Sequence, residues 1–225
     1  VLFALVQPAA VVGLLLAFLS GLALRVVALR LTARALRLLP RNTRVLPALR
    51  EDVDPFGAVA AVLGGTGWGR PVDLDGLPPR AARGRRAAVF AAGPLAALLA
   101  GEVVLFGYRL GYPGESAVLL INYPSDVLRG AAAPNVGVQL VLSVGVGLLC
   151  FGLLALVPLP PLDGFGLLWL SLREPGPAAQ RARFWLAENN IGVVVLFILL
   201  IFPLRRPLAY GLFDLLGTPL MRVWA

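Results

Sequence analysis

The sequence contains no histidine and no lysine, has one cysteine, and is charged at only 14% of its 225 positions. Each scarcity narrows the chemistry available. With neither an imidazole nor an ammonium group in the chain, no serine can be activated as a nucleophile by a neighbouring His or Lys. Cys150 stands alone in an apolar run, which excludes an intramolecular disulfide and marks it as a buried packing thiol. The low charge accompanies a 59% hydrophobic composition and a mean hydropathy of +0.85, which excludes an ordinary soluble domain. Lipid is the solvent this composition implies.

The charge that is present is one-sided. Twenty arginines face twelve acidic residues, for a net charge of +8. In so apolar a chain, arginines mark the boundary between membrane and cytoplasm, and nucleic acid is not an expected partner. Several apolar runs reach or approach the ~20 residues that a helix needs to cross a ~30 Å hydrocarbon core. The expectation is an all-α, polytopic helical bundle of about four to five spans plus a short re-entrant segment, with residues 1–225 as a single membrane domain.

Along the chain, the first span is expected from Val1 to Leu24, ending at Arg25. It lacks the basic n-region of a signal peptide and reads as a retained span. Arg30, Arg34 and Arg37 then mark an interfacial basic helix. Asp54-Pro55 breaks the chain. The run from Phe56 to Gly69 is too short for an ordinary span and reads as a re-entrant or partly inserted segment. The loop from Arg70 to Arg86 carries Arg80, Arg83, Arg85 and Arg86, candidate contacts for lipid headgroups or a partner, and is expected to be cytoplasmic.

Further spans are expected from Ala87 to Tyr108 and from Val136 to Val157, the second ended by Pro158-Leu159-Pro160-Pro161. Gly111 to Asn135 is expected to be an external loop. Ile191 to Leu204, extended by Phe184 to Ala187, forms the last hydrophobic segment, with Arg205 and Arg206 outside. Leu208 to Ala225 reads as an amphipathic tail on the bilayer surface, so residues 184–225 form a C-terminal span and tail. Trp68, Trp169, Trp185 and Trp224 read as interfacial anchors.

Four stretches carry a family resemblance: Asp54-Pro55-Phe56-Gly57, Gly67-Trp68-Gly69-Arg70-Pro71-Val72, Ala92-Gly93-Pro94, and Pro158-Leu159-Pro160-Pro161-Leu162-Asp163-Gly164. In this order and spacing, over about residues 16–170, they resemble the site-2 protease family of intramembrane zinc metalloproteases. In that family the first span carries HExxH. The resemblance places this motif on Ser20-Gly21-Leu22-Ala23-Leu24, with Ser20 and Leu24 at the histidine positions and Gly21 at the general base. Asp163, in Leu-Asp-Gly, matches the third ligand. Two asparagines of the family become Ala97 and Ala155.

A catalytic zinc needs about three protein ligands and an open position for water. A chain retaining only Asp163 is therefore expected to hold no metal or other cofactor, and to be a pseudo-protease rather than an enzyme. The function this implies is that of a scaffold, accessory or regulatory subunit that binds transmembrane helices of a larger complex. Its partners are then membrane lipids and other integral membrane proteins, in a bacterial cytoplasmic membrane. The alternative is a metal-free intramembrane hydrolase or a proton or lipid pathway using Glu102 and Asp163. Glu102 lies inside a span and can pair with Arg109 on the same helical face. The Asp163 carboxylate can cap backbone amides in its turn.

Overall fold

The computed structural model describes residues 4, 7–40, 42–72, 78, 82–131, 133–202 and 207–225. Arg80, Arg205 and Arg206 lie outside these residues. The chain runs through α1 (Pro8–Ala35), α2 (Leu49–Asp52), α3 (Pro55–Gly64), α4 (Arg83–Gly111), a 3-10 turn (Pro113–Glu115), α5 (Ala117–Ile121) and α6 (Pro124–Leu128). It continues through α7 (Val136–Ala155), α8 (Asp163–Ser171), α9 (Pro177–Arg183), a π turn (Phe184–Glu188), α10 (Ile191–Ile201) and α11 (Leu208–Arg222). Among the described residues the extended structure is one isolated antiparallel bridge between Val53 and Gly69.

Local chemistry sets the helix ends. Pro8 occupies the first turn of α1, where its missing N–H costs no hydrogen bond. The Asn135 side chain accepts from the Val138 amide at 2.9 Å and caps α7. At the far end of α1, Arg37 adopts a positive φ of 55°, and the Leu38 amide returns to the Ala33 carbonyl at 2.7 Å. This αL reversal closes the helix.

Among the described residues three helices, α1, α4 and α7, are long and apolar enough to cross a membrane. A fourth span is added if α9 with its π turn and α10 count together, although they are bent by 68°. The ten-residue α3 is a shorter apolar helix. α7 is the central span: 83% of its most apolar window is buried, against 50% for α1 and 39% for α4. Small residues let its neighbours close in. A Cβ on Gly13 of α1 would lie 2.6 Å from the Ser143 Cβ, and one on Gly145 would lie 2.8 Å from Leu105 of α4. Close backbone approach of this kind supplies van der Waals contact where lipid gives helices no hydrophobic reason to associate.

Several expectations are corrected. α1 continues unbroken through Arg25 to Ala35, so the basic helix is the end of the first span and not a separate element. Arg25 is no boundary marker, because it is buried at 4% exposure. The tail is not a detached surface helix. α11 packs on α6 and α7, with Tyr210, Phe213 and Met221 fully buried, and the Tyr210 hydroxyl donates to the Gly64 carbonyl at 3.1 Å. Its amphipathic pattern reflects a protein-facing stripe. Trp68 is no interfacial anchor either, being 3% exposed and bonded within the core.

Candidate functional site

The first two family-like stretches fold onto each other. Asp54 caps α3 by accepting from the Phe56 amide at 3.0 Å, and its other oxygen accepts from the Trp68 indole nitrogen at 2.7 Å. The Val53–Gly69 bridge continues in a bond from the Arg70 amide to the Asp52 carbonyl at 2.9 Å. Glycine is required where the two strands of chain meet. A Cβ on Gly57 would lie 2.0 Å from the Trp68 carbonyl oxygen, and one on Gly67 would lie 2.0 Å from that of Gly57. The segment after Trp68 is thereby held extended against the start of α3.

At its end stands a buried ion pair. Arg25 donates from Nε to Oδ2 of Asp163 and from Nη2 to Oδ1, both at 2.6 Å. Its Nη1 donates to the Arg70 carbonyl at 3.1 Å. The two side chains are 5% and 1% exposed. This bidentate fork is the strongest neutralising geometry available to a carboxylate from a side chain. It joins α1, the start of α8 and the extended segment. Removing one partner of such a pair typically costs about 3–5 kcal/mol, because the other charge is left buried and alone.

One turn further along α1 and nearer its end, Arg30 donates to Asp52 at 2.6 Å and to the Leu46 carbonyl at 2.9 Å. Asp52 also accepts from the Ala48 amide at 2.7 Å. Since the Asp52 carbonyl is the acceptor for Arg70, the two arginines hold the same segment from both sides.

The positions matched by resemblance make contacts of their own. Ser20 donates back to the Leu16 carbonyl of its own helix at 2.6 Å. Gly21 faces the ring of Phe151, which a Cβ would meet at 3.0 Å. Leu24 is 36% exposed. The residue that reaches Asp163 is the next one, Arg25. Asp163 therefore does not cap a turn as expected. Glu102 is not paired with Arg109, since its Oε2 accepts from the Trp224 indole at 2.7 Å, while Arg109 donates to the Pro113 carbonyl at 3.1 Å. Glu102 and Asp163 thus have separate partners. Arg83 and Arg85 are exposed at the start of α4, where Arg83 donates to the Arg173 carbonyl, and Arg86 is half-buried and engaged.

Among the described residues, three cavities adjoin the extended segment, and Pro71 lines all three. One of about 170 Å³ contains Asp163, Pro160 and Arg183. A second, of about 310 Å³, lies between Asp54, Phe56, Pro160 and the π-turn residues Leu186 and Ala187. The third, of about 230 Å³, has Arg25, Arg30 and Asp52 on its wall. The cluster is consequently walled by α1, α3, α8 and the bend before α10.

The chain is 30% identical over 153 residues to the "Putative zinc metalloprotease YwhC" of Bacillus subtilis (strain 168), covering 68% of this chain and 62% of that protein. The chain thus spans less than two thirds of the length of this curated relative. No protein-family profile matches the sequence, and no solved structure matches it. The expectation that this chain is not an enzyme is corrected by the similarity, because the relative's description points to protease activity.

The residues present here do not fit the zinc named in that relative's description. Both oxygens of Asp163 are held by Arg25, the chain has no histidine, and Cys150 is enclosed in α7. Among the described residues no three His, Cys, Asp or Glu side chains come together in a way that could hold a metal ion. What the similarity supports for this all-helical membrane chain is a site-2-protease-like relationship.

Proposed function

We propose that this chain, acting as a single membrane domain, receives a transmembrane segment of another integral membrane protein in the cavities around Pro71, as an accessory or scaffolding subunit of a hetero-oligomeric complex in a bacterial cytoplasmic membrane. The single observation that carries this reading is the cavity cluster, opening beside an extended segment whose own edges are pinned by Asp52, Asp54 and Arg25. A hydrogen-bonded wall with adjoining space is an arrangement that can accommodate an incoming segment with little prior ordering of the host. The relative's description brings proteolysis into the proposal as the activity to be tried on whatever segment is captured. No hydrolytic step is routed through zinc, because the residues around Asp163 do not accommodate it.

The test is site-directed photo-crosslinking in the native membrane. A photoreactive residue at Ala187, on the wall of the second cavity, is expected to capture one integral membrane protein. The same residue at Val194, 56% exposed on α10, is expected to capture lipid. The captured protein should also co-purify with the unmodified chain at a fixed ratio, and incubation of the purified pair then reads whether its segment is cut. Identical products from both positions, or a crosslinked protein that never co-purifies, would sink the proposal.

A further inference from the structure

We propose that Arg25 is a built-in cation: from within the chain its guanidinium engages both oxygens of the Asp163 carboxylate and leaves neither for a divalent metal. The inference concerns the same site as the proposed function but does not rest on it, since it is carried by contacts inside the chain.

The backbone is shaped for this arginine. A Cβ on Gly93 of α4 would lie 2.7 Å from the Arg25 Cγ, and one on Gly69 would lie 3.1 Å from its Nη1. Glycines thus flank both the stem and the head of the side chain, and a larger residue at Gly93 would occupy the stem's path. All three guanidinium nitrogens have acceptors in the fold, two on Asp163 and one on Arg70. The carboxylate is likewise saturated by two parallel bonds at 2.6 Å. Arg25 and Asp163 are 138 residues apart in sequence, yet they meet with 4% and 2% exposure, so the match is a feature of the folded state.

A zinc ion approaching Asp163 meets two obstacles. The guanidinium cannot diffuse away, so the metal competes with a cation at the high effective concentration that tethering confers. It must also sit beside the positive charge that it displaces, in surroundings of low dielectric, with no histidine to complete its coordination shell. The charges nearby reinforce this, because Arg183 shares the cavity containing Asp163 and Arg30 shares the cavity containing Arg25. Of the two acids that share a cavity wall with Arg25, Glu51 and Asp52, the second is already bonded to Arg30.

The full chain is purified in mild detergent, incubated with zinc alone, freed of unbound metal and assayed for metal content and thermal unfolding. The intact chain is expected to retain no stoichiometric zinc. Arg25→Ala is expected to lower Tm by roughly 10 °C. Millimolar ethylguanidinium, which can fill the vacated space, should restore part of that loss saturably. It should restore nothing in Arg25→Ala/Asp163→Asn. One zinc per chain, bound by the intact protein and lost in Asp163→Asn, would overturn the inference. So would an Arg25→Ala variant as stable as the parent. If Arg25→Ala fails to fold, the double variant Arg25→Met/Asp163→Leu decides: recovery of a folded protein supports the pair, and continued failure overturns it.

Discussion

The indole nitrogen of Trp224 donates to Oε2 of Glu102 at 2.7 Å, tying the end of the described chain to the middle of the second long span. The Trp224 ring also lies against Phe106, with centroids 5.1 Å apart, so the contact is both polar and aromatic. An ionisable group within a span is expensive unless it finds a partner. Here the partner is a neutral donor in the turn just beyond α11, and the other carboxylate oxygen is buried without one.

Trp224→Phe keeps most of the ring contact and removes the donor. It is expected to destabilise by about 1–3 kcal/mol, the cost of leaving a buried acceptor unpaired. Glu102→Gln retains an oxygen that can accept from the indole and is expected to change stability by less than that. Thermal unfolding of both variants in detergent checks the order. A larger loss for Glu102→Gln than for Trp224→Phe would mean that the negative charge, rather than the bond, is what the site requires.

Asp54 is expected to be among the most sensitive positions outside the long spans. Asp54→Ala removes the cap of α3 and strands the buried Trp68 N–H, for a combined loss of about 2–4 kcal/mol. Asp54→Asn keeps one acceptor oxygen, enough for the cap or for the indole but not for both, and is expected to lose at least half of this. Because the contact lies in the segment that shapes the cavities, limited proteolysis between Gly65 and Val72 is expected to accelerate in both variants, and more in Asp54→Ala than in Asp54→Asn.

The glycines of the same unit make a sharper contrast. Gly57→Ala places a carbon 2.0 Å from a backbone oxygen, which neither chain can evade without moving, and overpacking of this type costs about 1–3 kcal/mol or more. At Gly107, on α4, a Cβ meets nothing within 4 Å, and the higher helix propensity of alanine is expected to leave the protein as stable or stabilise it by up to about 1 kcal/mol. Expression and Tm of the two single variants, measured side by side, check this.

The long apolar spans were legible because hydrophobic length is a strong signal, and α4 and α7 fall within a few residues of their expected bounds. The role of Arg25 was not. Read as the basic residue that ends a span, it satisfied the sequence locally, and the resemblance directed attention to Ser20, Gly21 and Leu24 instead. A signal was nevertheless present: Val26, Val27, Ala28 and Leu29 continue the apolar run beyond Arg25, and Asp163 is a lone acid in an apolar stretch of its own. Opposite charges embedded in apolar sequence are candidates for each other. The pairing itself depends on the packing of α1 against α4 and on the extended segment, neither of which has a local sequence signature. Glu102 was visible as an intramembrane acid, but its partner lies 122 residues away, so the nearer Arg109 was the natural and mistaken choice.

The docking of α11 offers the most direct separation of two physical environments. On a bilayer surface, the apolar face of the helix would meet acyl chains, which tolerate a smaller side chain without leaving a void. In the bundle, that face meets fixed side chains, and truncation leaves a cavity. Phe213 is fully buried and Leu215, on the same helix, is 71% exposed. Phe213→Ala is therefore expected to cost about 3–5 kcal/mol, and Leu215→Ala less than about 1 kcal/mol. Unfolding of the two variants in the same detergent decides between the environments. Equal, small effects would return α11 to the bilayer surface. A large effect confined to Phe213 would establish that the apolar stripe of α11 completes the core around α6 and α7.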